Sequence, residues 1–236
     1  GALDRLDLRA SQTIAIFGMG PVGLSAVMLA HRMGAKVVAL DTNNKRLDRS
    51  LEFGADIAIN PEKSDDVLKE SSQDFGYSLG VLHHIPDTLE GIKDCAKLLK
   101  KDAPFLLYLY YNLENRPFLF RLLWKISNLL RKFLSILPHK IKYIITSLIA
   151  IFVYYPLART ALLAEKLNLD VSDFPLVDYR KKAFYFMQTD ALDRFGTRLE
   201  KRFSKAEISS MLHEAGLKNI TFSEKLPYWV CISYKA

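Results

Sequence analysis

Residues Thr13–Asp41 read TIAIFGMGPVGLSAVMLAHRMGAKVVALD. Two short β-branched runs, Thr13–Phe17 and Lys36–Leu40, flank a glycine turn and a helix of small and apolar residues. Runs of this kind fit parallel strands buried on both faces. Gly18, Gly20 and Gly23 supply G-x-G-x-x-G. The first glycine permits the tight turn, the second lets backbone approach a pyrophosphate, and the third lets helix and strand pack closely. Pro21 suits the first helical turn, where its missing N–H costs nothing. Asp41 ends the second run 18 residues past Gly23, the place from which a carboxylate accepts both ribose hydroxyls. Gly18, Gly20, Val22 and Gly23 are therefore candidates for the phosphates, and Asp41 and Thr42 for the ribose.

The glycine helix is followed by further βα alternation. Asn43–Phe53 predicts a helix stopped at Gly54, Asp56–Asn60 a third strand, and Ser64–Ser72 a short polar helix. This order implies a parallel sheet with right-handed crossovers. The quoted motif, continued by KRLDRSLEFGADIAINPEK, resembles the coenzyme domain of zinc-dependent, medium-chain alcohol dehydrogenases over about residues 2–70. In that family an acid at the Asp41 position favours NAD over NADP. The family's zinc-binding catalytic domain, with its cysteine and histidine ligands, has no counterpart here, and no metal site is expected.

Past Asp74 the run DFGYSLGVLHHIPDTLEGIKDCAKLLKKDAPFLLYLYY and the later TDALDRFGTRLEKRFSKAEISSMLHEAGLKNITFSE resemble class I S-adenosylmethionine-dependent methyltransferases, over about residues 74–236. Ile85, Leu89, Ile92, Ala96 and Leu99 give a helical apolar face, and Pro104–Tyr110 a fifth strand. Ser204 and Glu207 form a capping box for a helix ending at Gly216. Asn219–Ser223 and Tyr228–Tyr234 lie too close in sequence for a parallel crossover and predict an antiparallel hairpin. The expected fold is one Rossmann-like α/β domain with five parallel strands and this hairpin. The resemblance implies the order 3-2-1-4-5-7-6, with the two halves joined near residue 70 by recombination or engineering. Two positions depart from the methyltransferase pattern. Its motif acid falls at Ile16, and its third glycine at Val22; Asn60 stands in for the acid that helps hold adenine.

The 236 residues carry a formal net charge of +7 and are 50% hydrophobic, enough for a full core. No acid occurs between Asn115 and Ala164, where eight basic residues account for the whole positive excess. Charge confined to one segment argues against generic nucleic-acid binding. Phe118–Leu137 carries a narrow polar stripe at Arg121, Lys125, Asn128, Lys132 and Ser135. Tyr143–Ala158 holds no charge and is interrupted by Pro156. The segment 116–168 reads as a helical lid over the active site, with an interfacial membrane contact and a true span as alternatives. Cys95 and Cys231 give no disulfide framework, and the opening GALDRLDLRASQ does not read as a signal peptide, so a cytoplasmic protein is expected, with membrane association through the lid kept open.

The switch between sheet halves gathers the remaining candidates. Leu79, Gly80 and His83 end the fourth strand beside the cofactor, and His84 is the candidate catalytic base. Tyr110, Tyr111 and Asn112 end the fifth strand, and Arg180 and Arg194 are candidates to clamp an anionic group on a small amphipathic substrate. The expected function is methyl transfer from S-adenosylmethionine to an O or N acceptor. The alternative is an NAD(H)-binding Rossmann protein, or a chimera without methyltransferase activity.

Overall fold

A computed structural model describes residues 7–63, 72–115, 118–172, 174–224 and 229–236. Most of the polar helix expected at Ser64–Ser72, the turn at 225–228 and Arg116 lie outside the described residues. The chain forms two compact units, Gly1–Glu114 with Lys201–Ala236, and Asn115–Glu200.

The first unit is built on seven strands: β1 (Thr13–Phe17), β2 (Lys36–Leu40), β3 (Ile57–Ile59), β4 (Phe75–Leu79), β5 (Pro104–Tyr108), β6 (Leu217–Phe222) and β7 (Val230–Lys235). Their order is β3-β2-β1-β4-β5-β7-β6. The first five pair in parallel, and β7 runs antiparallel to both β5 and β6. The sheet is a mixed, open, Rossmann-like one. Strands β1, β2, β4 and β5 are buried on both faces, which is why they read as largely continuous apolar runs. Along β1, Ile14 and Ile16 enter one core with Val37 and Ala39, while Ala15 and Phe17 enter the other with Val38, Leu40 and Phe105.

Helices α1 (Pro21–Arg32), α2 (Asn44–Glu52) and α3 (Thr88–Lys97) cover the parallel half. Asn43 caps α2 by accepting from the Arg46 N–H, and Gly54 leaves it at φ +100°. The side chain of Asp74 stitches β1 to β4: its carboxylate accepts from the Thr13 N–H at 2.8 Å and the Thr13 hydroxyl at 3.0 Å, and also pairs with Lys100 at 2.7 Å. The point at which the sequence changes character is thus a bonded seam within one sheet. The expected fifth strand is shorter than its apolar run: pairing ends at Tyr108, and Tyr110 and Tyr111 belong to the segment beyond.

The second unit is helical: α4 (Phe118–Leu134), α5 (His139–Ile149), a π-helical turn (Ala150–Tyr154), α6 (Tyr155–Lys166) and α7 (Phe184–Gly196). Pro156 does not interrupt the apolar helix as expected. Its ring excludes the normal i−4 bond, and the preceding turn widens so that the Tyr155 N–H reaches Ala150 O, five residues back. His139–Lys166 therefore runs on as one helix of 28 residues. The core of this unit is Leu134, Ala150, Tyr154, Ala158, Met187, Ala191 and Phe195, where the alanines let helices approach closely. Helix α8 (Lys205–Glu214) returns the chain to the first unit, opened by the expected Ser204–Glu207 capping box and followed by Gly216 at φ +74°.

Candidate functional site

The three turn glycines meet different surroundings. Gly18 has φ +87°, and a Cβ there would stand 2.3 Å from Val81 Cγ2. A Cβ on Gly23 would lie 1.8 Å from the Gly18 carbonyl oxygen, so α1 can approach β1 only without a side chain at that position. Gly20 is different. It caps α1 with φ −74° and ψ −175°, extended backbone open to any residue, and a Cβ there would meet nothing within 4 Å among the described residues. Contacts within the fold explain two of the glycines, Gly18 and Gly23, and not the third. Helix α1 has no side-chain N-cap and no acid in its first turn. Its first amide N–H groups thus lack the partner such ends usually receive, and the helix dipole adds a partial positive charge. Val22, 53% exposed, stands beside this end.

Asp41 is more constrained than the sequence indicates. One carboxylate oxygen accepts from the Met19 N–H at 2.7 Å and the other from the Asn43 N–H at 2.8 Å. The side chain is 7% exposed, and Arg46 Nη1 lies 3.7 Å away. The acid thus pins the glycine turn to the start of α2, and each oxygen keeps acceptor capacity for a hydroxyl. Thr42 is exposed beside it. Asn60 does not reach outward. Its amide nitrogen donates to Thr42 O and Asn44 Oδ1, and its oxygen accepts from the Glu62 N–H. It braces the loop that carries Thr42 instead of presenting a free group to adenine.

Across the switch between β1 and β4, Leu79 ends its strand half-buried. Gly80 has φ +75°, with open space where a Cβ would point. Val81, absent from the sequence candidates, supplies the floor under Gly18. Its one signal was its place two residues beyond an apolar strand. His83 and His84 follow in a 3-10 turn. His83 is fully buried, stacked on Tyr110 at 3.8 Å, and neither of its ring nitrogens has a hydrogen-bond partner among the described residues. Burial, with the His84 and Arg202 charges adding, lowers its pKa from 6.5 to about 3. It is a neutral packing ring at physiological pH. The His84 ring lies 4.1 Å from that of His83 and 5.7 Å from that of Tyr110.

Arg202, also missed, ties this cluster together: its guanidinium sits 5.2 Å over the Tyr110 ring and donates to Tyr111 O. Tyr111 packs edge-on against Trp229, and the Asn112 side-chain oxygen accepts from the Glu114 N–H. Arg180 and Arg194 belong to the helical unit, each with an acidic partner there. Arg180 pairs with Glu165 and Arg194 with Glu200, both at 2.8 Å. Arg194 also stacks over Trp124. Both guanidinium groups are therefore engaged by carboxylates within the helical unit. Cys95 and Cys231 are buried, their thiols pushed up by burial, Cys231 to about 12, so neither is poised as a nucleophile. Among the described residues no group of three or more His, Cys, Asp or Glu could hold a metal ion.

Comparison with known proteins corrects the methyltransferase reading. Residues 21–103 match the family described as zinc-binding dehydrogenase. That match spans residue 70 and extends into the segment that resembled a methyltransferase, so neither a join there nor S-adenosylmethionine as ligand has support. The local structure agrees, with Ile16 fully buried where the methyltransferase acid would stand and Asn60 occupied within its own loop. Strand order by itself carries no activity. The L-threonine 3-dehydrogenase of Symbiobacterium thermophilum is 35% identical over 112 residues, 47% of this chain and 31% of that protein. The S-(hydroxymethyl)glutathione dehydrogenase of Saccharomyces cerevisiae is 38% identical over 72 residues, 30% of this chain and 18% of that protein. A solved alcohol dehydrogenase zinc-binding domain protein from Burkholderia ambifaria aligns with 42% of this chain and 27% of its own, at 30% identity and a TM-score of 0.37. The chain spans less than a third of the length of the curated relatives it matches. Its similarity to zinc-binding dehydrogenases lies in residues 21–103, which start one residue past Gly20 and include Gly23, Asp41 and strands β2, β3 and β4.

Proposed function

We propose that the chain binds a nicotinamide dinucleotide, NAD(H) in preference to NADP(H), in the crevice at the carboxyl ends of β1, β2 and β4. The observation that carries this reading is Gly20, whose missing side chain serves no contact in the fold and faces open space at an uncapped helix start. A pyrophosphate fits that position: it would accept from the first N–H groups of α1, and Gly20 would let it reach the backbone. Asp41 would receive the ribose hydroxyls, and its carboxylate would disfavour a 2′-phosphate. Gly80 would leave room on the far side of the switch. The match of residues 21–103 to zinc-binding dehydrogenases supports the same ligand.

A bound nicotinamide supplies or accepts hydride, and the residues named here bind and orient the dinucleotide. Among the described residues no group of three or more His, Cys, Asp or Glu forms a donor set for the zinc of that family. Calorimetric titration of the full chain with NADH, NADPH and S-adenosylhomocysteine tests the proposal. NADH binding tighter than NADPH, with no response to the sulfur compound, is expected. Failure of both dinucleotides to bind would overturn it.

A further inference from the structure

The helical unit presents a surface that its own fold does not explain. At about 100° per residue, the exposed apolar side chains of α4 fill an arc of about 140° running from Phe118 to Leu123. Leu129 and Phe133, 72% and 63% exposed, lie within it. Arg121, Lys125 and Lys132 all fall within about 40° of one another along one edge of that arc, and all three are exposed. Two members of the polar stripe expected from sequence face elsewhere: Ser135 is buried, and Asn128 holds the Arg131 side chain. What remains on the outer face is apolar, with a purely basic edge. The helix His139–Lys166 adds a second exposed apolar face, on which Ile144 is 59% and Phe152 72% exposed. Its first turn carries His139 and the exposed Lys140, with no acid and no side-chain cap. Cations at a helix N-terminus are unfavourable unless an anion lies close.

We propose that this surface docks on an anionic lipid bilayer, with α4 lying in the interface. The apolar arc would enter the acyl boundary, and Arg121, Lys125, Lys132 and Lys140 would meet headgroup phosphates. Charge decides among the occupants. A second copy of the chain would bring the same basic edge against itself, and no acid between Asn115 and Ala164 could relieve it. By length and composition His139–Lys166 is able to cross a membrane. Its inner face, however, is the core of its own unit, with Thr146, Ala150, Ala158 and Ala161 fully buried against neighbouring helices, and Arg159 donates to Arg180 O. A helix so packed is not free to be surrounded by lipid.

The test is co-sedimentation of the full chain with vesicles of phosphatidylcholine alone and of phosphatidylcholine with phosphatidylglycerol. Binding is expected only to the anionic vesicles, and should be released by raised salt. The double variant Lys125→Ala/Lys132→Ala should bind them about thirtyfold more weakly at low salt, with an unchanged circular-dichroism spectrum. Leu129→Ser/Phe133→Ser should also bind more weakly, with the salt dependence kept. Equal binding to neutral vesicles, a dimer in solution with no vesicle binding, or retention in the bilayer after alkaline carbonate washing would each overturn the proposal.

Discussion

Substitution of alanine at Gly20 and at Gly23 separates a ligand's requirement from the fold's. At Gly23 the added Cβ would stand 1.8 Å from a backbone oxygen that no rotamer change can move. Overpacking of that kind costs about 1–3 kcal/mol or more, and for a chain of this length each kcal/mol lowers the melting temperature by about 2–4 °C. At Gly20 the same methyl group meets nothing, and the backbone is already in a region that alanine adopts. A small loss as an N-cap residue is offset by the reduced freedom of the unfolded chain, leaving a net change within about 1 kcal/mol. The ligand fares oppositely at Gly20. The methyl group occupies the approach to the first amides of α1, and losing charge-assisted hydrogen bonds worth about 1.5–3 kcal/mol weakens NADH about 10- to 100-fold. Differential scanning fluorimetry and NADH fluorescence titration on the two variants give the answer. If Gly20→Ala melts as low as Gly23→Ala, or binds NADH like the parent, the assignment of Gly20 to a ligand is wrong.

Three further substitutions probe the surroundings. Asp41→Asn should narrow the preference for NADH over NADPH at least tenfold, because it removes the charge that repels a 2′-phosphate and frees Arg46, now 3.7 Å from the carboxylate, to pair with one; an unchanged ratio of the two dissociation constants would take Asp41 out of the ribose site. His83 binds its proton near pH 3 when folded and near 6.5 when unfolded, so the unfolded chain takes up the proton first and His83 subtracts stability as pH falls from 6.5 toward 3. His83→Phe keeps the stack on Tyr110 and should remove about 2 kcal/mol of the stability lost between pH 7.5 and pH 5, read from urea midpoints; an equal loss in both proteins contradicts this. Asp74→Ala removes the acceptor of the Thr13 N–H and the partner of Lys100, and should lower unfolding free energy by about 2–3 kcal/mol in urea.

The sheet was legible because its signals are local. Period, glycine chemistry and the short gap before the last strand are each written within a few residues, and the β1–α1–β2 unit, the capping box at Ser204 and the antiparallel hairpin all stand where they were expected. What failed was the role of single side chains whose partners no motif announces. Asn60 offered an exposed-looking amide, yet its bonds go to Thr42 and Asn44, 18 and 16 residues away. Arg194 read as a clamp, but its charge is met by Glu200. Val81 and Arg202 act through contacts with Gly18 and Tyr110 that no spacing announces. The choice of cofactor failed for another reason. The second half of the chain suggested a chemistry by resemblance, whereas the features that decide a ligand lie in the glycine turn, where Ile16 is buried and Asp41 holds the loop.

The central claim is that a dinucleotide sits on the amino end of α1. It is tested most directly by following backbone amide resonances of the isotope-labelled full chain as NADH is added. The largest shifts are expected at Gly18, Gly20, Val22, Gly23, Thr42 and Gly80, with the aromatic turn at His83 and His84 moving less. Saturable shifts confined to other residues, or none at these six, would contradict it.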